Sequence, residues 1–235
     1  MDTEEPQQVL TFVPERKSRS YIAEDNSERE VASFTLGKGY ADWGPLTVYA
    51  VMKSGDIYSI CPYMPANACV FLLMSSHLLT VHRSIPSAYI HSLECFIAAK
   101  QEFLSQDTNT SKNLSTIYDY QRKYVTALTK QLPPGTVFPA TSRTVAMHPP
   151  TTISFAPLRQ GPFLLQPSPR NLEGSEGGDA TDIAYLNFST DRINGEANDT
   201  ERLGVIVVAY QDGRVDLFLD VEKVEARWDF KRVST

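Results

Sequence analysis

Cysteine is scarce in this 235-residue chain, with three in all and no Cys-x-x-Cys pair among them. Cys61, Cys69 and Cys95 therefore suggest neither a disulfide framework nor a structural zinc site, and a reducing compartment fits best. Basic charge is in deficit: 22 Lys and Arg face 28 Asp and Glu, a net charge of −6. A nucleic-acid binder held by bulk electrostatics needs the opposite balance. Long apolar runs are missing as well. The longest, Val70 to Val81, is broken by Ser75, Ser76 and His77 and is too short to span a bilayer. The first residues, MDTEEPQQ, are acidic where a secretory signal is basic and then apolar, so the chain reads as intracellular. What is present, 42% hydrophobic and 10% aromatic residues, is enough to bury a real core and excludes a wholly disordered chain.

The residues that usually carry chemistry are few and scattered. His77 and His82 stand five apart, which suits neither HExxH nor an i, i+4 ligand pair on one helical face. His91 and Glu94 share an i, i+3 spacing with no third ligand in sight, and read as a solvated surface pair; His148 stands alone. The glycine cluster Gly174-Ser-Glu-Gly177-Gly178 lacks a Lys-Ser/Thr ending, and its acids repel phosphate. No G-x-S-x-G elbow surrounds a serine. Cys95, beside Phe96, reads as a small buried hydrophobe. Gly55-Asp56 and Asp212-Gly213 are turn chemistry. Short basic groups at Arg16-Lys17 with Arg19, and at Lys231-Arg232, are terminal and flanked by acids. The expectation is no catalytic, cofactor-binding or metal-binding residue, no cofactor and no enzyme activity.

Residues 1–30 hold 12 charged side chains and read as a charged flexible tail, with order beginning near Val31. Strand signals follow. Leu46–Met52 and Ile57–Ile60 are β-branched and aromatic runs joined through Lys53-Ser54-Gly55-Asp56, where Gly55 can take the positive φ of a tight hairpin. The same pattern returns as Val205–Tyr210, Gln211-Asp212-Gly213-Arg214 and Val215–Leu219. Aligning Gly55 with Gly213 sets Val48 on Ile206, Ala50 on Val208, Ile57 on Val215 and Ile60 on Phe218. Each copy reads as a first strand buried on both faces and an alternating second strand, as in a propeller blade. A weaker hairpin is expected from Thr151–Ala156 and Phe163–Leu165 through Arg159-Gln160-Gly161, and Asp182–Ser189 reads as the strand opening a last blade. Trp228-Asp229 matches the WD dipeptide of one propeller family but stands alone.

Between the hairpins the apolar period changes from 2 to 3.6. One helix, opened by Pro86, places Tyr89, Ile90, Leu93, Phe96, Ile97 and Leu104 on one face. A second places Leu114, Ile117, Tyr118, Tyr124, Val125, Leu128 and Leu132 on its stripe until Pro133-Pro134. The pair is an antiparallel helical hairpin inserted over about 85–132 of a β-propeller fragment running from 31 to 235. Acidic loops at 167–182 and 190–202 hold net charges of −3 and −2, nearly the whole of the excess. Cys69–Arg83 reads either as a buried strand or as translated non-coding sequence.

Several stretches resemble a known family. They are Trp43-Gly44-Pro45-Leu46-Thr47, Gly55-Asp56-Ile57-Tyr58-Ser59-Ile60-Cys61-Pro62, Ser87-Ala88-Tyr89-Ile90 and the ending Asp220–Trp228 (DVEKVEARW). Over residues 31–230 the chain is similar to the N-terminal propeller of a fungal nucleoporin family, the eighty-two-kilodalton nucleoporins, whose animal relatives are the eighty-eight-kilodalton ones. The resemblance implies a non-enzymatic docking platform on the cytoplasmic face of the nuclear pore complex, supporting mRNA export and nucleocytoplasmic transport. It implies two nucleoporin partners: the C-terminal tail of the FG nucleoporin that recruits the mRNA-export helicase, and the autoproteolytic domain of the GLFG nucleoporin. Neither direct nucleic-acid binding nor membrane insertion is implied, and no partner-contact residue carries over. The chain has room for about three to four blades of a seven-bladed type, so it reads as a partial β-propeller, mainly β, with strand edges that favour self-association. Two other readings stand beside this one: a cytosolic WD-like propeller adaptor, and a loop-site enzyme on a β-propeller.

Overall fold

The computed structural model describes residues 9–13, 26–38, 42–64, 85–106, 112–133, 144–145, 147–163, 178–187, 204–220 and 224–233. In chain order the strands and helices are β1 (Val31–Leu36), β2 (Val48–Met52), β3 (Ile57–Ile60), β4 (Ile85–Pro86), α1 (Ser87–Gln106), α2 (Lys112–Thr129) and β5 (Thr144–Val145). There follow β6 (Phe155–Pro157), β7 (Arg159–Gln160), β8 (Ala180–Asn187), β9 (Gly204–Tyr210), β10 (Val215–Asp220) and β11 (Trp228–Val233).

Two antiparallel sheets dominate, one in the order β1-β2-β3-β7 and one in the order β10-β9-β8. The helical hairpin leaves after β3 and returns before β7, which then completes the sheet that β3 belongs to. Beta-branched and aromatic residues fill β2 and β9, and a glycine at positive φ closes each hairpin, Gly55 at 88° and Gly213 at 84°. The register of the two hairpins is the same. Val48 faces Ile60 in the first, and Ile206 faces Phe218 in the second, at the positions the alignment equates.

The sheets stack in one sense, like successive blades. Val48, Ala50 and Ile60 point to one side, into a cluster with Phe12, Met52 and Tyr58. Their counterparts Ile206 and Val208 lie in the large core between the sheets, with Phe218 packed against it. On the other side of the first sheet, Tyr49, Val51 and Ile57 fill that same core, while the corresponding side of the second sheet carries the exposed Val215, Leu217 and Leu219. Each sheet thus turns the same face in the same direction. Among the described residues the sheets do not close into a ring, as a partial propeller requires.

Four expectations need correction. Among the described residues, which end here at Phe163, the hairpin expected over 151–165 is not seen: β6 pairs with β11, and β7 pairs with β3, because β3 offers an open edge that Arg159 and Gln160 complete. Order does not begin at Val31. Leu10 and buried Phe12 cover the first sheet, Phe12 accepts a hydrogen bond from Arg159 Nη1 at 2.7 Å, and Asn26–Glu28 form a 3-10 turn beside the β2–β3 turn. A short apolar run, Val9 to Val13, is diluted by its charged neighbours in composition but not in space. Third, β3 is buried at every residue rather than alternating, while β9 alternates rather than being buried on both faces. Fourth, Leu114, assigned to the buried stripe of α2, is 39% exposed at its first turn. Residues 69–83, and nearly all of both acidic loops, lie outside the described residues.

Candidate docking surface

The helical hairpin is held on the sheets by its apolar stripes and by a few polar contacts. Ile90, Leu93 and Ile97 of α1 and Tyr124, Val125 and Leu128 of α2 are buried in the inter-sheet core. Gln121 sits on the same stripe, fully buried, and donates its side-chain N–H to the Ala226 carbonyl at 3.0 Å. Nothing in the apolar period signals that contact, since it depends on where a segment 105 residues away runs. Lys100 of α1 pairs with Glu225, whose carbonyl accepts from Gln160 at 2.8 Å. Burial alone lowers the Lys100 pKa, but the Glu225 hydrogen bond and charge outweigh it and raise the value. Rings of Tyr120, Tyr124, Phe155, Trp228 and Phe230 meet at centroid distances of 4.9–6.1 Å. Trp228 of the Trp-Asp dipeptide is therefore a core residue beneath the hairpin.

A second polar contact locks the two sheets. Asp220 accepts hydrogen bonds from Tyr49 at 3.1 Å and Tyr185 at 2.8 Å, and the two rings stack with centroids 5.3 Å apart. Burial, and then the Asp220 charge, raise both phenol pKa values well above the ordinary range, so both hydroxyls stay protonated donors. Gly204 makes room for this: a Cβ there would come within 2.0 Å of the Tyr185 hydroxyl. Burial likewise pushes the Cys61 thiol up, away from thiolate reactivity.

The residues considered for chemistry do not come together. Glu94 accepts from Thr129 at 3.3 Å across the two helices, and His148 exchanges backbone hydrogen bonds with the Gln131 side chain. His77, His82 and the 174–177 glycines fall outside the described residues. Cys95 is exposed, not buried, because it sits two residues past Leu93 and so turns away from the α1 stripe. Among the described residues no group of three His, Cys, Asp or Glu side chains is placed to hold a metal. No helix among them is long and apolar enough to cross a membrane. What the surface offers is shape, in a groove of about 810 Å³ beside α2 and the bare face of the second sheet.

Comparison with known proteins fixes the family. The family described as the nucleoporin NUP82 beta-propeller matches residues 2–234, nearly the whole chain. The chain belongs to the nucleoporin Nup82 β-propeller family. Nucleoporin nup82 of Schizosaccharomyces pombe is 29% identical over 196 residues, covering 79% of this chain and 20% of that protein. Nucleoporin NUP82 of Chaetomium thermophilum is 23% identical over 200 residues, covering 79% of this chain and 21% of that protein. This chain therefore spans about a fifth of the length of the curated relatives it matches. A solved structure shares the fold at a TM-score of 0.60 and 21% identity, over 93% of this chain and 38% of the other. It is the crystal structure of the Chaetomium thermophilum heterotrimeric Nup82 NTD-Nup159 TAIL-Nup145N APD complex. The match from residue 2 also takes in the segment whose Phe12 packs on the first sheet. As a member of that family the chain has the mainly β, partial-propeller fold that its residues had suggested.

Proposed function

We propose that this chain works as a docking platform on the cytoplasmic face of the nuclear pore complex, supporting mRNA export and nucleocytoplasmic transport without enzymatic activity. Its partners in this reading are two nucleoporins: the C-terminal tail of the FG nucleoporin that recruits the mRNA-export helicase, and the autoproteolytic domain of the GLFG nucleoporin. The observation that carries the reading is membership of the Nup82 propeller family across residues 2–234. Support also comes from the solved relative, which is a complex of a Nup82 domain with a Nup159 tail and a Nup145N domain. Mechanically, the fold suits passive docking. Helices pinned by Gln121, Lys100 and an aromatic cluster present a pre-formed outer surface, so little ordering entropy is lost on binding.

The test is to tag the endogenous gene at its C-terminal codon and image living cells. A punctate nuclear rim, with the two partner nucleoporins recovered on the tagged chain, is the expected result. A diffuse signal from a tagged band of the right size overturns the reading.

A further inference from the structure

We propose that the groove between α2 and residues 148–152 docks an extended, acidic peptide segment of a partner protein. This deepens the docking-platform reading and rests on it.

The argument begins with the spacing of α2. Tyr118, Gln121, Tyr124, Val125 and Leu128 are buried, so the opposite face is turned outward. Arg122, Thr126 and Lys130 follow one another at i, i+4 on that outward face, and Lys123 stands beside them. The groove of about 810 Å³ is lined by all three cations, and its far wall is the segment Pro149-Pro150-Thr151. Gln131 fixes that wall by bonding both the N–H and the carbonyl of His148, at 2.9 and 3.0 Å.

Among the described residues the cations are not spent on carboxylates. Arg122 donates to the neutral Gln101 side chain at 3.2 Å, and Lys123 lies 4.8 Å from the Tyr120 ring centroid. The one acid of the lining, Asp119, accepts from Gln101 at 3.2 Å, on the α1 side. Elsewhere the described surface does pair its charges, as in Lys53 with Glu30 and Arg214 with Asp216. A concentrated positive groove on a chain of net charge −6 calls for an anionic partner.

Peptide is favoured over RNA by what the lining lacks. None of its twelve residues is Phe, Tyr or Trp and its one ring is the His148 imidazole, whereas single-stranded nucleic acid is held largely by stacking on successive rings. The groove does carry exposed threonines, Thr151 and Thr152, suited to hydrogen-bonding a peptide backbone.

The test uses the full 235-residue chain and fluorescence anisotropy. The probe is a labelled peptide of alternating Glu and Ser, about twelve residues long, with a Gln/Ser peptide and an oligo-uridine as comparisons. Three exposed cations acting together should make the Glu/Ser peptide bind about tenfold tighter than the Gln/Ser peptide, and added salt should erase the difference. The triple variant Arg122→Glu, Lys123→Glu, Lys130→Glu should remove the preference with its melting temperature unchanged. Should that variant melt early, the milder pair Arg122→Gln and Lys130→Gln carries the same expectation. Equal binding of the two peptides, or a preference that survives the variants, overturns the proposal. So does tighter binding of the oligo-uridine. A preference seen only after Glu173→Gln and Glu176→Gln overturns it too, since the chain's own acidic loop would then be the occupant. Failure here with a tagged chain still at the nuclear rim breaks only this proposal, whereas a diffuse tag with the groove still selective breaks the docking-platform reading.

Discussion

The two β-hairpins of this chain are written in nearly the same sequence pattern and share a register, yet they differ in what covers them. Every residue of β2 and β3 is buried, whereas β10 exposes Val215, Leu217 and Leu219 at 54%, 61% and 46%. The cause is position in the stack. The first sheet has the second sheet on one face and Leu10 and Phe12 on the other; the second sheet has a partner on one face alone among the described residues. Burial in such a repeat belongs to the neighbours, not to the hairpin. An apolar residue on the bare face holds the same place as its buried counterpart and is left uncovered by the described residues.

Matched substitutions break or sharpen that comparison. The largest contrast is expected at Ile57 and Val215, which occupy equivalent positions at 3% and 54% exposure. Ile57→Asp buries an unpaired carboxylate and should cost about 4 kcal/mol or more, enough to unfold much of the chain. Val215→Asp should stay within about 1 kcal/mol, and urea melts of the two variants decide it. Equal losses would mean the second face is covered after all.

The lock between the sheets gives the next effect. Asp220→Ala strands two buried tyrosine hydroxyls and should cost about 2–4 kcal/mol, read from the same melts. Its pH dependence follows from the direction of the phenol shifts. Tyr49 and Tyr185 titrate higher in the folded chain than unfolded, so their contribution is complete below about pH 10 and falls away as pH rises above it. Replacing both by Phe should flatten that alkaline loss.

A smaller change is expected at the hairpin anchor. Lys100 and Glu225 are partly exposed, so Lys100→Ala should cost about 1 kcal/mol and speed hydrogen exchange in α1 and α2. The smallest effect on stability, and the clearest on association, belongs to Leu217→Ser with Leu219→Ser. That pair should leave the melt within about 1 kcal/mol while reducing self-association in sedimentation velocity, if the bare face is what drives it.

Local physics made much of this fold readable beforehand. Gly55 and Gly213 marked the hairpin turns, the 3.6 period marked Ile90, Leu93, Ile97, Tyr124, Val125 and Leu128, and the turn alignment equated positions that hold the same place in both hairpins. What could not be read was long-range. Arg159 and Gln160 look like turn residues because their strand partner Ser59-Ile60 lies about a hundred positions earlier. Phe12 looked like part of a tail because a window average hides a five-residue apolar run. Gln121 gave no signal beside the apolar stripe because its carbonyl partner comes from Ala226. The groove beside α2 escaped for the same reason: its cations are local to a helix, but its far wall is a segment about twenty residues further on.

The position of the helical hairpin, between β3 and the strand that completes its sheet, also orders events during synthesis. Ile60 pairs with Arg159, so nearly a hundred residues must leave the ribosome before the open edge of β3 can be sealed. Over that interval the nascent sheet presents an unpaired edge strand, Ile57-Tyr58-Ser59-Ile60, every residue of which is buried in the finished fold. The two helices, whose contacts with each other are local, are made within that interval, and their buried stripes share the core that Ile57 of β3 enters.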